Sequence, residues 1–311
     1  MALPLLHQQT VYGKVYCNLP CNAVYVALLI ASPYPVNYDL HTHSTASDGA
    51  YTPAELVRQA NAAGVTHLAL TDHDSTDGVV EAQSEATKWG LTLIPAVEIS
   101  TTWHGKSVHI VGLAIDPICP ELQQGLARLQ NQRLARAEEM GRNLAKNGIE
   151  GGFEAARSLA GLGMITRTHF AQYLADLGLA SSVRQVFERY LVKGKPGYVH
   201  TEWAEMREAV DWIKAAGGVA VLAHPQRYKL TSSWLGRLLI EFKAVGGEAL
   251  EVVAGTASLG DIQSSASAAR RHVLLASVGS DFHSPDNCWL KLGHLPELPK
   301  DLTPVWSLWN E

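Results

Sequence analysis

Short apolar runs, most of them ending on a histidine or an acid and alternating with stretches that carry helical signals, restrict the fold of this chain more than any other feature. YDLHTH opens the series and TPAELVRQANAAG follows it; VTHLALTDHD comes next, with a helical stretch closing near Gly90. LTLIPAVE, SVHIVGLAI, GGVAVLAHP, EALEVV and HVLLASVGSDFH continue the series. Runs of this length and apolar content predict strands. Thr52 as N-cap, Pro53 in the first turn, Glu55 closing a capping box and Gly64 as the stop delimit the first helix. Parallel strands need long connections, so the alternation predicts an α/β fold of parallel strands joined by helical crossovers. In barrels of that kind chemistry collects at the carboxyl ends of the strands, where most of the unusual polar residues stand here. His109 is the exception, because it lies early in its run.

His41 and His43 are two residues apart in an extended run and therefore project to the same side. Neutral imidazole is a favoured ligand of zinc, manganese and iron, and Asp48 on the following turn adds a hard oxygen donor. Taken alone, an H-x-H is equally a half-exposed polar strand end. It gains weight from the residues that close or interrupt the other runs: His73, Glu98, His109, His224, Asp281 and His283.

The 311 residues, 47% hydrophobic and 18% charged, suit a soluble enzyme of one large domain or one domain with an insertion. A formal charge of −5 argues against a surface built for bulk nucleic-acid wrapping, so an anionic substrate would have to be held by a local cationic pocket. Cys17, Cys21, Cys119 and Cys288 are too few and too scattered for a disulfide scaffold and point to a reducing, cytoplasmic setting. AVYVALLIA near the N-terminus is too short to span a bilayer and lacks the basic flank of a signal peptide, so no targeting or membrane partner is expected. No obligate protein partner is evident. The expected organisation is an N-terminal extension at 1–36, a first barrel part at 37–117, a helical insertion or cap at 118–196, and a second barrel part at 197–311. Arg133, Arg136 and Arg142 fall in a charged helical stretch of the insertion and read as a solvated face. Arg167 and Lys195 lie in the glycine-containing or extended surroundings GLGMITR and KGKPGYV, from which they could lean over a barrel mouth. With Arg184 and His169 they are the candidates for holding substrate phosphate.

Read in order, HTH, D, TDHD, VE, H, AHP and SDFH resemble the PHP (polymerase and histidinol phosphatase) superfamily, over about Asn37 to Pro296. The phrases DLHTHSTASDG, LTDHDS, AVEISTTW, HIVGL, RTHFA and GKPGYV are more similar still to its ribonuclease AM (YciV-like) branch, which comprises 5′ to 3′ exoribonucleases and 3′,5′-nucleotide bisphosphate phosphatases. The resemblance implies a distorted (β/α)7 PHP barrel with a helical insertion, holding up to three divalent ions, commonly Mn2+, with Fe or Zn also compatible. It implies that His41 and His43 bind one ion, with Glu98 and Asp281 bridging or completing its shell. Asp48, His73 and His283 would serve a second, and Glu98, His109 and His224 a third. The implied substrate is a nucleotide bisphosphate or a 5′-phosphorylated RNA end.

Three divalent ions carry six positive charges and Asp48, Glu98 and Asp281 return three, so such a pocket stays cationic inside an acidic protein. It would lower the pKa of bound water, supply hydroxide for attack on phosphorus and neutralise phosphoryl oxygens, with no catalytic side chain separate from that hydroxide. A general acid, whether a bound water or Asp72 or Asp74, is left open; both acids serve equally to orient His73 or cap the next helix. The same centre could hydrolyse a carbon–nitrogen bond, as in amidohydrolase-like barrels, or serve as another small-molecule phosphatase. A cationic clamp for a second phosphate, from Arg167, Lys195 and perhaps Arg184 or Arg227, would tell these readings apart.

Overall fold

A computed structural model of the chain describes residues 36–286 and 290–309. All of the extension expected at 1–36 except residue 36 therefore lies outside the described residues, as do Cys17, Cys21 and Cys288. Strand β1 (Tyr38–Asp39) leads through the ligand-rich loop to helix α1 (Pro53–Ala62), then β2 (His67–Leu70), α2 (Val79–Trp89), β3 (Thr92–Trp103) and β4 (Lys106–Leu113). Helices α3 (Pro120–Lys146), α4 (Gly152–Ala160), α5 (Arg167–Asp176) and α6 (Val183–Val186) follow. The chain then returns through β5 (Ala204–Glu205), α7 (Met206–Ala215), β6 (Val219–Leu222), α8 (Ser232–Ala244), β7 (Ala249–Ala254), α9 (Leu259–His272) and β8 (Leu275–Gly279). The first helix starts and stops where its sequence signals stand: Thr52 Oγ1 accepts the Glu55 N–H, Glu55 Oε2 accepts the Thr52 N–H, and Gly64 follows with φ +82.

The sheet runs β1-β2-β3-β4-β6-β7-β8, with β5 paired outside this path to β3. Past β1 the Leu40 N–H donates to the Val278 carbonyl, and Thr42 bridges Phe282 in parallel, which nearly closes the sheet into the distorted seven-stranded barrel. Inside it, alternate residues lead from an apolar plug to polar ends. Ile94 and Ala96 on β3 precede Glu98, and Leu113 and Val111 on β4 stand below His109. Helices α7, α8 and α9 and the first half of α3 cover one side of the barrel, and α1 and α2 cover another.

The expectation of uniformly parallel strands fails at β4, which is antiparallel to both β3 and β6. The cause is a two-residue turn, His104-Gly105, with both residues at positive φ (46 and 71), the geometry that folds two strands back on each other as a hairpin. Reversal also accounts for the position of His109. Because β4 starts at the end of the barrel where its neighbours finish, a residue early in this strand stands beside residues late in the others.

The 27-residue α3 belongs to two cores. Leu122, Leu126 and Leu129 pack in the barrel's outer cluster, whereas Ala137, Met140 and Leu144 join α4, α5 and α6 in a separate apolar cluster of the insertion. Arg133 lies between the two sets on the same buried stripe.

Candidate metal centre and its cavity

The nine residues singled out in the sequence are brought together at one end of the barrel. Glu98 lies at the centre, fully buried. Its Oε1 is 2.8 Å from His109 Nδ1, 2.9 Å from His224 Nε2 and 3.4 Å from His41 Nε2; its Oε2 is 2.8 Å from His73 Nδ1 and 3.4 Å from His43 Nε2. The two oxygens thus face different sets of imidazoles, the arrangement a bridging carboxylate needs. Asp281 Oδ1 is 3.1 Å from His43 Nε2 and 3.5 Å from His41 Nε2, and Asp48 Oδ1 is 3.4 Å from His283 Nε2 and 3.9 Å from His73 Nε2.

Four donor groups tight enough for an ion emerge: His41-His43-Asp281, His43-Asp48-His73-His283, His73-Glu98-His109 and His41-Glu98-His224. The first contains His41, His43 and Asp281 of the first expected set without Glu98, and the second adds His43 to the expected Asp48, His73 and His283. The third expected set, Glu98 with His109 and His224, divides between two overlapping groups that share Glu98. The donors fit divalent ions by a second criterion as well. His41 Nε2, both ring nitrogens of His43, Asp48 Oδ1, His73 Nδ1 and Glu98 Oε2 are buried without a hydrogen-bond partner, which is costly unless something else coordinates them.

Burial opposes charge on every group here, and the neighbours decide the outcome. His43 is lowered to about 3 by burial and by His283, and His109 to about 4 by burial, which the attraction of Glu98 only partly offsets. For His283 burial is outweighed by Asp48 and Asp281, which raise it to about 9; Glu251, Glu98 and Asp281 likewise lift His41 well above its ordinary value. Asp48, Glu98 and Asp281 are held well below the usual carboxylate range despite burial, by the surrounding histidines and, for Asp281, first by Arg227. Ionised acids and displaceable protons on histidine are the state from which cations are taken up.

Seven of the nine, Asp48, His73, Glu98, His109, His224, Asp281 and His283, line a cavity of about 360 Å³, and the rest of its wall includes Arg133, Arg136, Arg167, Thr168, Phe187, Tyr198 and Trp203 from the insertion and the segment after it. Three guanidinium groups are held over aromatic rings, Arg133 and Arg136 over Trp203 (5.1 and 5.3 Å) and Arg167 over Phe187 (5.6 Å). Arg133 is also bound through Nε to Asp74 Oδ2 (2.6 Å) and through Nη2 to Ser100 Oγ (2.7 Å). Arg136 and Arg167 have no carboxylate partner among the described residues, and the Arg136 Nε is buried without a hydrogen bond. Burial, then the like charges of Arg167 and Arg133, disfavour the cationic form of Arg136. An anion in the cavity would relieve that cost. Arg227, also in the wall, contacts Asp281 Oδ2.

Several sequence readings need correction. Arg133 and Arg136 are not a solvated face but line the cavity; Arg142 alone of the three stays at the surface, paired with Glu138 and Glu139. Arg184, an exposed residue paired with Glu188, does not line the cavity, and neither does the exposed Lys195. The stretch around Lys195 turns outward, with its N–H bonded to the Val192 carbonyl. His169 closes a capping box, its Nδ1 accepting the Thr166 N–H at 3.0 Å, and so steadies the start of α5 beside Arg167. Asp72 accepts from the Ser44 N–H and from the Ser44 and Ser47 hydroxyls, which fixes the Asp48 loop; Asp74 holds Arg133. Neither acid lines the cavity. Glu251, which the sequence reading passed over, lies directly behind His41 with Oε1 3.0 Å from Nδ1.

A barrel whose strand ends gather six imidazoles and three carboxylates beside unpaired arginines defines a metal-dependent hydrolase of anionic substrates. Among protein families, the PHP domain model matches residues 39–220. The chain belongs to that family and is a metal-dependent phosphoesterase. It is 46% identical to a 3′,5′-nucleoside bisphosphate phosphatase of Chromobacterium violaceum, covering 87% of this chain and 95% of that one. It is 45% identical to the 5′-3′ exoribonuclease Rnm of Escherichia coli, covering 89% and 95%. A solved structure from Chromobacterium violaceum, described as an amidohydrolase with bound sulfate and no metal, superposes with a TM-score of 0.84 at 46% identity over 88% of this chain and 95% of that one. A candidate metal-dependent phosphoesterase from Bifidobacterium adolescentis gives 0.74 at 28% identity over 88% and 94%.

Proposed function

We propose that this protein hydrolyses phosphate esters at nucleotide ends, taking 3′,5′-nucleoside bisphosphates or 5′-phosphorylated RNA. His41, His43, Asp48, His73, Glu98, His109, His224, Asp281 and His283 would hold up to three divalent ions. Manganese suits this mixture of imidazole and carboxylate donors, and the scattered cysteines support a cytoplasmic setting. When bound, the ions would supply Lewis acidity towards phosphoryl oxygens and an activated water for attack on phosphorus. Glu98, with its oxygens directed to two sets of histidines, would be shared between the ions they hold.

The observation that carries the substrate reading is the pair Arg136 and Arg167, which line the same cavity as the candidate donors, neither neutralised by a carboxylate among the described residues. A substrate with one phosphate at the donors and another within reach of the arginines satisfies both ends of the cavity. Planar guanidinium forks bind phosphate oxygens through paired hydrogen bonds. The Thr168 hydroxyl donates to Asp48 Oδ2 at 2.9 Å, tying the start of α5, and with it Arg167, to the donor loop. A neutral amide would leave the two arginines unmatched, which favours phosphoester over carbon–nitrogen hydrolysis. Phosphate release from a panel of nucleotides, with metal removed and restored, tests the reading. Preference for bisphosphates and 5′-phosphorylated oligoribonucleotides over monophosphates is expected; an equal rate on all of them, or faster release of ammonia from amides, would overturn it.

A further inference from the structure

Glu251 is a charged residue in the middle of an otherwise apolar strand, β7, and is 2% exposed. Both its oxygens are engaged: Oε1 is 3.0 Å from His41 Nδ1, and Oε2 accepts the His224 N–H at 2.5 Å. His224 has φ 26 and ψ 60, a backbone conformation that non-glycine residues seldom adopt unless their surroundings hold them there. Space behind His41 is also reserved. A Cβ at Gly279 would overlap the His41 Cβ and press on Glu251 Oε1 at 2.7 Å.

We propose that Glu251 is a positioning residue that sets two metal donors at once, selecting the tautomer of His41 and holding the strained backbone of His224. A carboxylate oxygen only accepts, so the proton of neutral His41 is kept on Nδ1, and the lone pair on Nε2 is presented towards Glu98 Oε1 (3.4 Å) and Asp281 Oδ1 (3.5 Å). The second oxygen anchors the His224 N–H while His224 Nε2 faces the same Glu98 oxygen. One side chain thereby registers β1 and β6 on the donor group His41-Glu98-His224. The inference rests on the metal reading given above.

Glu251→Gln separates positioning from packing, because it keeps shape and volume but offers one acceptor where two donors converge. Either the His224 N–H meets an NH2 group, or His41 is driven to the tautomer with hydrogen on Nε2. Calorimetric titration of metal-free protein with Mn2+ is expected to show one class of ion bound about 10- to 100-fold more weakly in the variant, with the remaining ions near wild-type affinity. Glu251→Asp, which retains two acceptors, should recover part of the loss. A merely structural role would lower the denaturation midpoint and leave the ratio of affinities among the ions unchanged, which would overturn the proposal. Wild-type protein loaded with Zn2+ and labelled with 15N-histidine gives a result independent of the variant's folding: His41 should be protonated on Nδ1 and coordinated through Nε2, and the reverse would overturn it. Wild-type protein that bound no ion in the same titration would remove the metal reading itself, an outcome distinct from a variant that matches wild type.

Discussion

Replacing Arg136 by Met tests the cavity's second wall, because stability and catalysis should then move in different directions. Met keeps an unbranched stem to pack against Trp203, over which the guanidinium now lies at 5.3 Å, and removes only the charge and its hydrogen bonds. In the free protein that charge is unfavourable: it is part-buried, its Nε has no partner, and Arg133 and Arg167 repel it. The thermal midpoint of the variant should therefore stay level or rise. With a phosphate in reach, the same guanidinium makes charge-assisted hydrogen bonds worth roughly 1.5–3 kcal/mol, or about 10- to 150-fold in kcat/KM. The assay compares adenosine 3′,5′-bisphosphate with p-nitrophenyl phosphate at constant metal content. A loss of that size is expected on the bisphosphate and less than about threefold on the aryl ester, which has no second phosphate to lose. Equal losses on both substrates would mean that Arg136 acts on the donors rather than on a remote phosphate. A lowered midpoint with unchanged rates would make it a structural residue.

Metal loading should release protons: against burial, neighbouring carboxylates raise His283 to about 9 and lift His41 and His73 above their ordinary value, and the protons these rings hold must leave before they coordinate. Dye-detected release of protons on saturation, with apparent affinity rising as pH rises towards 9, is expected; affinity that falls between pH 6 and 8 would contradict it. Arg133→Ala leaves Asp74 buried without its partner and should lower stability by about 3–5 kcal/mol in denaturant titrations, a cost of the size found when one member of a buried ion pair is removed. Arg184→Ala and Lys195→Ala should leave kcat/KM on bisphosphates within about twofold, since an exposed charge outside the cavity contributes little.

The donor residues were legible because strand ends concentrate function. Most of the apolar runs stop at a residue of metal-ligand type, SVHIVGLAI and EALEVV being the exceptions, and the nine candidates converge without any knowledge of strand order. Strand direction was less legible. The turn that reverses β4 is a His-Gly pair, not the Asn-Gly or Asp-Gly that usually signals such hairpins, and its apolar flanks read equally well as two parallel strands. The arginine-lined wall is obscured for a different reason. Arg133 and Arg136 were judged by charge, whereas Arg133 occupies a position of the buried stripe Leu122-Leu126-Leu129-Arg133-Ala137-Met140-Leu144.

That stripe carries a general physical argument. A cation at a core-facing helical position must find an anion or lie beside a cavity that admits one, because burying it alone costs several kcal/mol. Arg133 does both, bound to Asp74 on one side and lining the cavity on the other. Glu251 obeys the same rule in a strand: an acid among six buried residues of β7 has to meet donors, and it meets His41 and the His224 N–H. Charge at an apolar-patterned position is thus the sequence signal for the groups packed around the candidate metal donors, as imidazoles and acids at strand ends are for the candidate donors themselves. The two signals differ in what fixes them. Donors are set by the common end of the barrel strands, whereas Arg133 and Arg136 depend on a helix long enough to leave the barrel core and enter that of the insertion, so the insertion brings the second wall of the cavity to a centre that the barrel builds.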